Sequence, residues 1–135
     1  MRVVLDANVL VSAAISTGPP RQIVAAWIDG RFELVASPTL LGELRDVLTR
    51  PKLRPWVAPA LAHEFVDGLA EGAVMLDDSD QPRPVSPDAD DDYLLELGRA
   101  AAADYLVSGD RHLLGLADPT PSVLTPRQFL DRLAP

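Results

Sequence analysis

The sequence predicts an α/β fold: one domain with a central parallel sheet and helices on both of its faces. Three observations predict it. Short apolar, β-branched runs alternate with longer stretches whose apolar residues recur at helical spacing, the alternation that builds a parallel sheet. The chain has 135 residues, about the length of one domain and enough to bury about two-thirds of its unfolded surface. Hydrophobic residues make up 47% and charged residues 24%, an ordinary globular composition that argues against disorder.

Taken in order, Arg2 to Leu5 reads as a short buried strand that ends at Asp6. Asn8 to Ile15 reads as a helix with Asn8 near its N-cap, and Gly18-Pro19-Pro20 is punctuation. Ile23, Val24, Trp27 and Ile28 form the apolar face of the next helix, which Gly30 closes. Phe32 to Ala36 is a second strand. Ser37-Pro38 supplies a cap and a first-turn proline for a helix that runs to Thr49-Arg50-Pro51, with Leu40, Leu41, Leu44, Val47 and Leu48 as its apolar positions. Pro59 to Gly72 is a helix with Leu61, Phe65, Val66 and Leu69 expected inside, and Ala73 to Leu76 is a strand. Residues 77–87 carry three prolines and no periodicity, so they read as a loop. Asp88 to Ala103 is a helix with acids in its first turn, where the helix dipole favours them. Tyr105 to Val107 is a strand, Ser108-Gly109-Asp110 its turn, His112 to Leu116 a short helix and Ser122 to Leu124 a last strand. Thr125-Pro126 opens a closing helix with Phe129, Leu130 and Leu133 inside.

The composition also excludes functions. There is no cysteine, hence no disulfide, thiolate zinc site or cysteine nucleophile. No apolar run approaches the roughly 20 residues that span a bilayer, and Asp6 interrupts the first apolar stretch too early for a signal peptide. The expected location is the cytoplasm, with no membrane partner. Twelve Lys and Arg stand against 20 Asp and Glu, a net charge of −8. That balance argues against nucleic-acid binding by charge alone, since such affinity rests on cations at phosphates. Seven of the acids fall between Asp77 and Asp92, with Arg83 the only base among them, a pattern that is most simply a solvated segment.

Ligands of parallel sheets bind beyond the carboxyl ends of the strands, and acids lie there. Asp6 ends the first strand, and Asp110 follows a later one. Glu43 sits at the border of the buried stripe of its helix. Asp91 shares a helix face with Leu94 and Leu95, three and four residues on, which turns it inward and leaves Asp90 and Asp92 toward solvent. At ~5 Å and an effective dielectric of about 20, each like-charge pair costs roughly 3 kcal/mol, a large share of a domain's stability. Such a cluster needs a cation. An all-oxygen donor set suits Mg²⁺ or Mn²⁺, and the chemistry it favours is metal-assisted phosphodiester hydrolysis.

Four segments carry a family resemblance: VVLDANVLVSA (3–13), SPTLLGELRDVLTRPKL (37–53), DADDDYLLELGRAAAADYLVSGDRHLL (88–114) and VLTPRQFLDRL (123–133). In this order they resemble PIN-domain proteins, specifically the toxin components of bacterial VapBC-type toxin–antitoxin pairs. Residues 54–87 match weakly. The resemblance implies a single-domain three-layer α/β/α fold over residues 1–135 and metal-dependent cleavage of RNA, with Mg²⁺ or Mn²⁺ as cofactor. It also implies a cognate antitoxin and a homodimer or higher homo-oligomer. The four catalytic and metal-binding acids carry over onto Asp6, Glu43, Asp91 and Asp110. Asp90 is the alternative to Asp91, which is preferred because Leu94-Leu95 follows it at the family's spacing. Asn8 and Ser108 stand where the family has polar partners for the acids, Asn8 to orient Asp6 or a water, Ser108 to hydrogen-bond a carboxylate.

Each residue taken singly also has a plainer reading. Asp6 and Asp110 suit turns, Asp91 a cap, Glu43 a surface helix acid paired with Arg45 or Arg50, and Asn8 and Ser108 local caps. It is the joint placement that favours a site. Arg45, Arg50, Lys52 and Arg54 concentrate four bases in ten residues; they either complement a helix C-terminus or contact RNA or a partner. His63 and His112 read as surface or helix-end residues. Trp27, Trp56 and Phe32 read as core or a dimer face. Two other functions compete. One is a non-catalytic metal- or partner-binding regulatory domain. The other is a metal-dependent phosphohydrolase with Asp6 as nucleophile, which the Asn at position 8 and the single lysine, Lys52, disfavour.

Overall fold

The computed structural model describes residues 1–77 and 89–134, and for 89–92 only the helical backbone. Among the described residues, five strands form one parallel sheet: β1 (Arg2–Leu5), β2 (Glu33–Ala36), β3 (Val74–Met75), β4 (Tyr105–Val107) and β5 (Ser122–Leu124). Their order is β3-β2-β1-β4-β5. The chain builds outward from β1 to one edge and then returns to the other side of β1. The switch point, where ligands of such sheets collect, therefore lies between β1 and β4.

The β1 side chains Val3, Val4 and Leu5 are fully buried, as expected for a strand covered on both faces. Among the described residues, seven helices connect and flank the strands: α1 (Ala7–Ile15), α2 (Pro19–Ile28), α3 (Pro38–Leu48), α4 (Pro59–Gly72), α5 (Ala89–Ala100), α6 (Arg111–Leu114) and α7 (Pro126–Leu133). A 3-10 turn, Pro51–Leu53, follows α3. Helix α5 packs on β1, β2 and β4, while α1 packs on α2 and α3, α3 on α4, and α2 on α7. Close approach of α5 to the residue that precedes β5 requires Gly98: a Cβ there would stand 2.6 Å from the Pro121 ring.

Caps set the helix starts where the sequence supplied them. The Ser37 hydroxyl, fully buried, accepts from the Leu40 amide and opens α3. Thr125 and Gln128 form a reciprocal capping box on α7. Several expectations shift. Asp6, not Asn8, is the N-cap of α1, because its carboxylate accepts the amide two residues on. The inner stripe of α4 is Ala62, Val66 and Leu69; Val66 and Leu69 stand as expected, Phe65 is half-buried, and Leu61 is exposed because Ala62 takes the inward position in the first turn.

Helix α5 ends at Ala100, three residues early. There the Ala102 and Ala103 amides return to the Arg99 and Gly98 carbonyls with Ala102 at φ +52°, a Schellman ending. The short helix after β4 is Arg111–Leu114 and not His112–Leu116, because Asp110 caps it. Phe32 is core, with its ring edge-on to Phe129 at 5.2 Å; Trp27 is half-buried and Trp56 exposed. The loop expected over 77–87 lies, from residue 78 onward, outside the described residues, as does Asp88.

Candidate functional site

The centre of the site is a pair of neighbouring strand ends. Leu5 of β1 stands opposite Val107 of β4, so the next residues, Asp6 and Ser108, meet just beyond the sheet. The Asp6 amide continues the ladder to the Val107 carbonyl at 3.0 Å. The Ser108 hydroxyl donates to Asp6 Oδ2 at 2.7 Å, and the Asn8 amide donates to Asp6 Oδ1 at 3.1 Å. Asp6 is 7% exposed and Ser108 0%, so this carboxylate is buried with a donor on each oxygen. Each oxygen can accept a second contact.

Ser108 has a second task. Its oxygen accepts the Asp110 amide at 3.0 Å, which fixes the turn that presents Asp110. The Asp110 carboxylate caps α6 by accepting the His112 amide at 2.8 Å. The cap and turn readings of Asp6 and Asp110 are thus realised together with their placement at one sheet edge, and capping holds each carboxylate in a single orientation.

A cavity of about 310 Å³ opens over this edge, and Asp6, Asn8, Glu43 and Asp110 all line it. Glu43 arrives from the second turn of α3, which starts at the end of β2. Its Oε2 accepts the Tyr93 hydroxyl of α5 at 2.9 Å. Asp46 and Arg50 line the cavity as well. The helix that bears Asp90 and Asp91 continues directly into Tyr93 and Leu94, two further lining residues. The side chains of Asp90 and Asp91 lie outside the described residues. Among the described residues, no three of His, Asp and Glu stand close enough to share one metal ion.

The basic quartet divides. Arg45 turns to α4, where it contacts His63 Nδ1 at 2.6 Å and the Asp67 carboxylate at 2.8 Å. Arg50 faces the cavity and is the only base among its described lining residues. Lys52 and Arg54 are exposed around the 3-10 turn, outside that lining. His112 is exposed and enters the site through its backbone amide. Sequence reasoning missed Asp46 and Tyr93. Asp46 carried a signal, since it follows Glu43 by three residues on one helix face. Tyr93 carried none, because its partner is 50 positions away.

Residues 2–112 match the family model described as the PIN domain. The chain is a PIN-domain protein. Solved structures agree on the fold. PAE2754 from Pyrobaculum aerophilum superposes with a TM-score of 0.67 at 18% identity, covering 98% of this chain and 89% of that one. VapBC2 from Rickettsia felis, solved bound to a DNA fragment from their promoter, gives 0.63 at 13% identity, covering 93% and 98%. The PIN domain of human SMG5 gives 0.55 at 9% identity, covering 99% and 100%. No curated protein matches the sequence. Membership places this PIN-domain chain in a family whose members are generally nucleases and typically use divalent metals. Among the described residues, no helix is long and apolar enough to cross a membrane.

Proposed function

We propose that the protein is an endoribonuclease that hydrolyses RNA phosphodiester bonds with Mg²⁺ or Mn²⁺, and that it is the toxin of a toxin–antitoxin pair. The observation that carries the reading is that Asp6, Glu43 and Asp110, from three separate parts of the chain, line one cavity at the switch point of a PIN-domain sheet. The donor set suits the group: carboxylate oxygens around a cavity in a chain without cysteine favour hard divalent ions.

Asp6, Glu43 and Asp110 would hold the cation, directly or through water, with Asp91 as fourth acid and Asp90 as its alternative. Bound there, the ion would polarise the phosphate and make water more acidic. The protein's own groups do the rest. Ser108 and the Asn8 amide hold the Asp6 carboxylate in place. Arg50 meets a phosphate oxygen of the RNA at the cavity edge, a task for which a guanidinium is well shaped. The Asn8 side chain lies in the lining where it can orient Asp6 or a water. Arg45 serves the α3–α4 contact and not the substrate.

The likeness to VapBC2 supports an antitoxin as partner, and the family resemblance implies pairing with a second copy of the chain. The test is cleavage of RNA by purified protein with Mg²⁺, with Mn²⁺ and with EDTA, beside the Asp6→Asn variant prepared identically. Cleavage that needs the metal and disappears in the variant is expected. Cleavage that the Asp6→Asn variant retains in full, or that EDTA leaves intact, is not the work of this carboxylate site and defeats the proposal.

A further inference from the structure

We infer that the Tyr93 hydroxyl is a positioning group for Glu43, holding its carboxylate ready to receive a divalent cation; the inference rests on the function proposed above. Glu43 is an exposed residue on α3. A glutamate so placed has three flexible torsions, and ordering it costs conformational entropy whenever it binds an ion. Tyr93 offers the opposite character. It is half-buried on α5, and its ring turns about only two torsions. Its hydroxyl reaches Glu43 Oε2 at 2.9 Å, within hydrogen-bond range and strengthened by the acceptor's charge.

The chemistry of the donor matters. An arginine or lysine at this place would neutralise the carboxylate and compete with a cation. A phenol donates one hydrogen bond and brings no positive charge of its own, so it orients the carboxylate without neutralising it. The base nearest Glu43 on its own helix, Arg45, is directed to His63 and Asp67 of α4. The bond also joins α3 to α5, the helix whose first turn bears Asp90 and Asp91. Glu43 and Tyr93 line the same cavity as Asp6 and Asp110, so the contact lies within the site.

The test is a Mn²⁺ titration of the full chain followed by its thermal midpoint, which a ligand of the native state raises with the logarithm of its concentration over its dissociation constant. The proteins are wild type, Tyr93→Phe, Glu43→Gln and the double variant. Tyr93→Phe is expected to weaken Mn²⁺ binding about tenfold, the usual scale for losing a group that orients a ligand, with the metal-free midpoint nearly unchanged. In the Glu43→Gln background, the same change is expected to have no further effect. Wild-type affinity in Tyr93→Phe, tighter binding, or an equal loss in the Glu43→Gln background overturns the positioning role. A wild-type protein that shows no response to Mn²⁺ overturns the reading of the site, and this inference with it.

Discussion

Ser108 and Asp6 are 102 positions apart in the chain, yet a 2.7 Å hydrogen bond joins them in the interior. Adjacent parallel strands end in register there, so each side chain is the first residue past its strand. Replacing Ser108 with alanine leaves a buried carboxylate one donor short, at a cost of about 1–3 kcal/mol. It also frees the Asp110 amide from its acceptor. Urea unfolding is expected to register the loss of stability, and RNA cleavage to fall as the two acids lose their common anchor.

Asp6 serves as both helix cap and candidate ligand, and two substitutions separate the roles. Asparagine caps about as well as aspartate, while alanine loses the cap at about 1 kcal/mol. Both Asp6→Asn and Asp6→Ala are expected to abolish cleavage, with only the alanine variant clearly less stable in thermal melts. Retained cleavage in Asp6→Asn contradicts the site assignment.

Arg50 and Arg45 sit five residues apart and are expected to differ in kind. Arg50→Ala removes a cation from the cavity edge. The salt dependence of RNA binding by an Asp6→Asn background should then lose about 0.7 in its logarithmic slope, the share of one phosphate contact on a single strand. Arg45→Ala breaks a surface pair with Asp67, which is worth about 0–1 kcal/mol, and should leave the slope unchanged. Equal slopes with and without Arg50→Ala in the Asp6→Asn background would remove Arg50 from the substrate path.

The Schellman ending of α5 places an alanine where the backbone is left-handed, Ala102 at φ +52°. Only glycine adopts this conformation freely. Ala102→Gly is therefore expected to stabilise the fold by about 1 kcal/mol, read by urea unfolding, with cleavage unaltered.

The parts legible in the sequence were those fixed by local rules. Apolar runs ending at Asp6 and before Ser108 marked the strand ends, and the parallel topology then brought Asp6 and Asp110 to one edge. Ser37-Pro38 and Thr125-Pro126 marked helix starts because capping is a local contact. What local rules do not contain was misread or missed. Leu61 was assigned inward because helix phase over one turn depends on where neighbouring helices pack. The direction of Arg45 is set by His63 and Asp67 on another helix. The Tyr93–Glu43 contact joins two helices that nothing in either segment pairs. Asp46 was the avoidable omission, being one helical turn from Glu43.

The most direct test of the central claim is anomalous diffraction from crystals of the protein soaked in Mn²⁺. The expected result is a manganese peak in the Asp6 cavity, bound by Asp6 and Asp110 and reached by Glu43 directly or through water. A cavity that stays free of manganese while the ion binds elsewhere, or nowhere, would contradict the account.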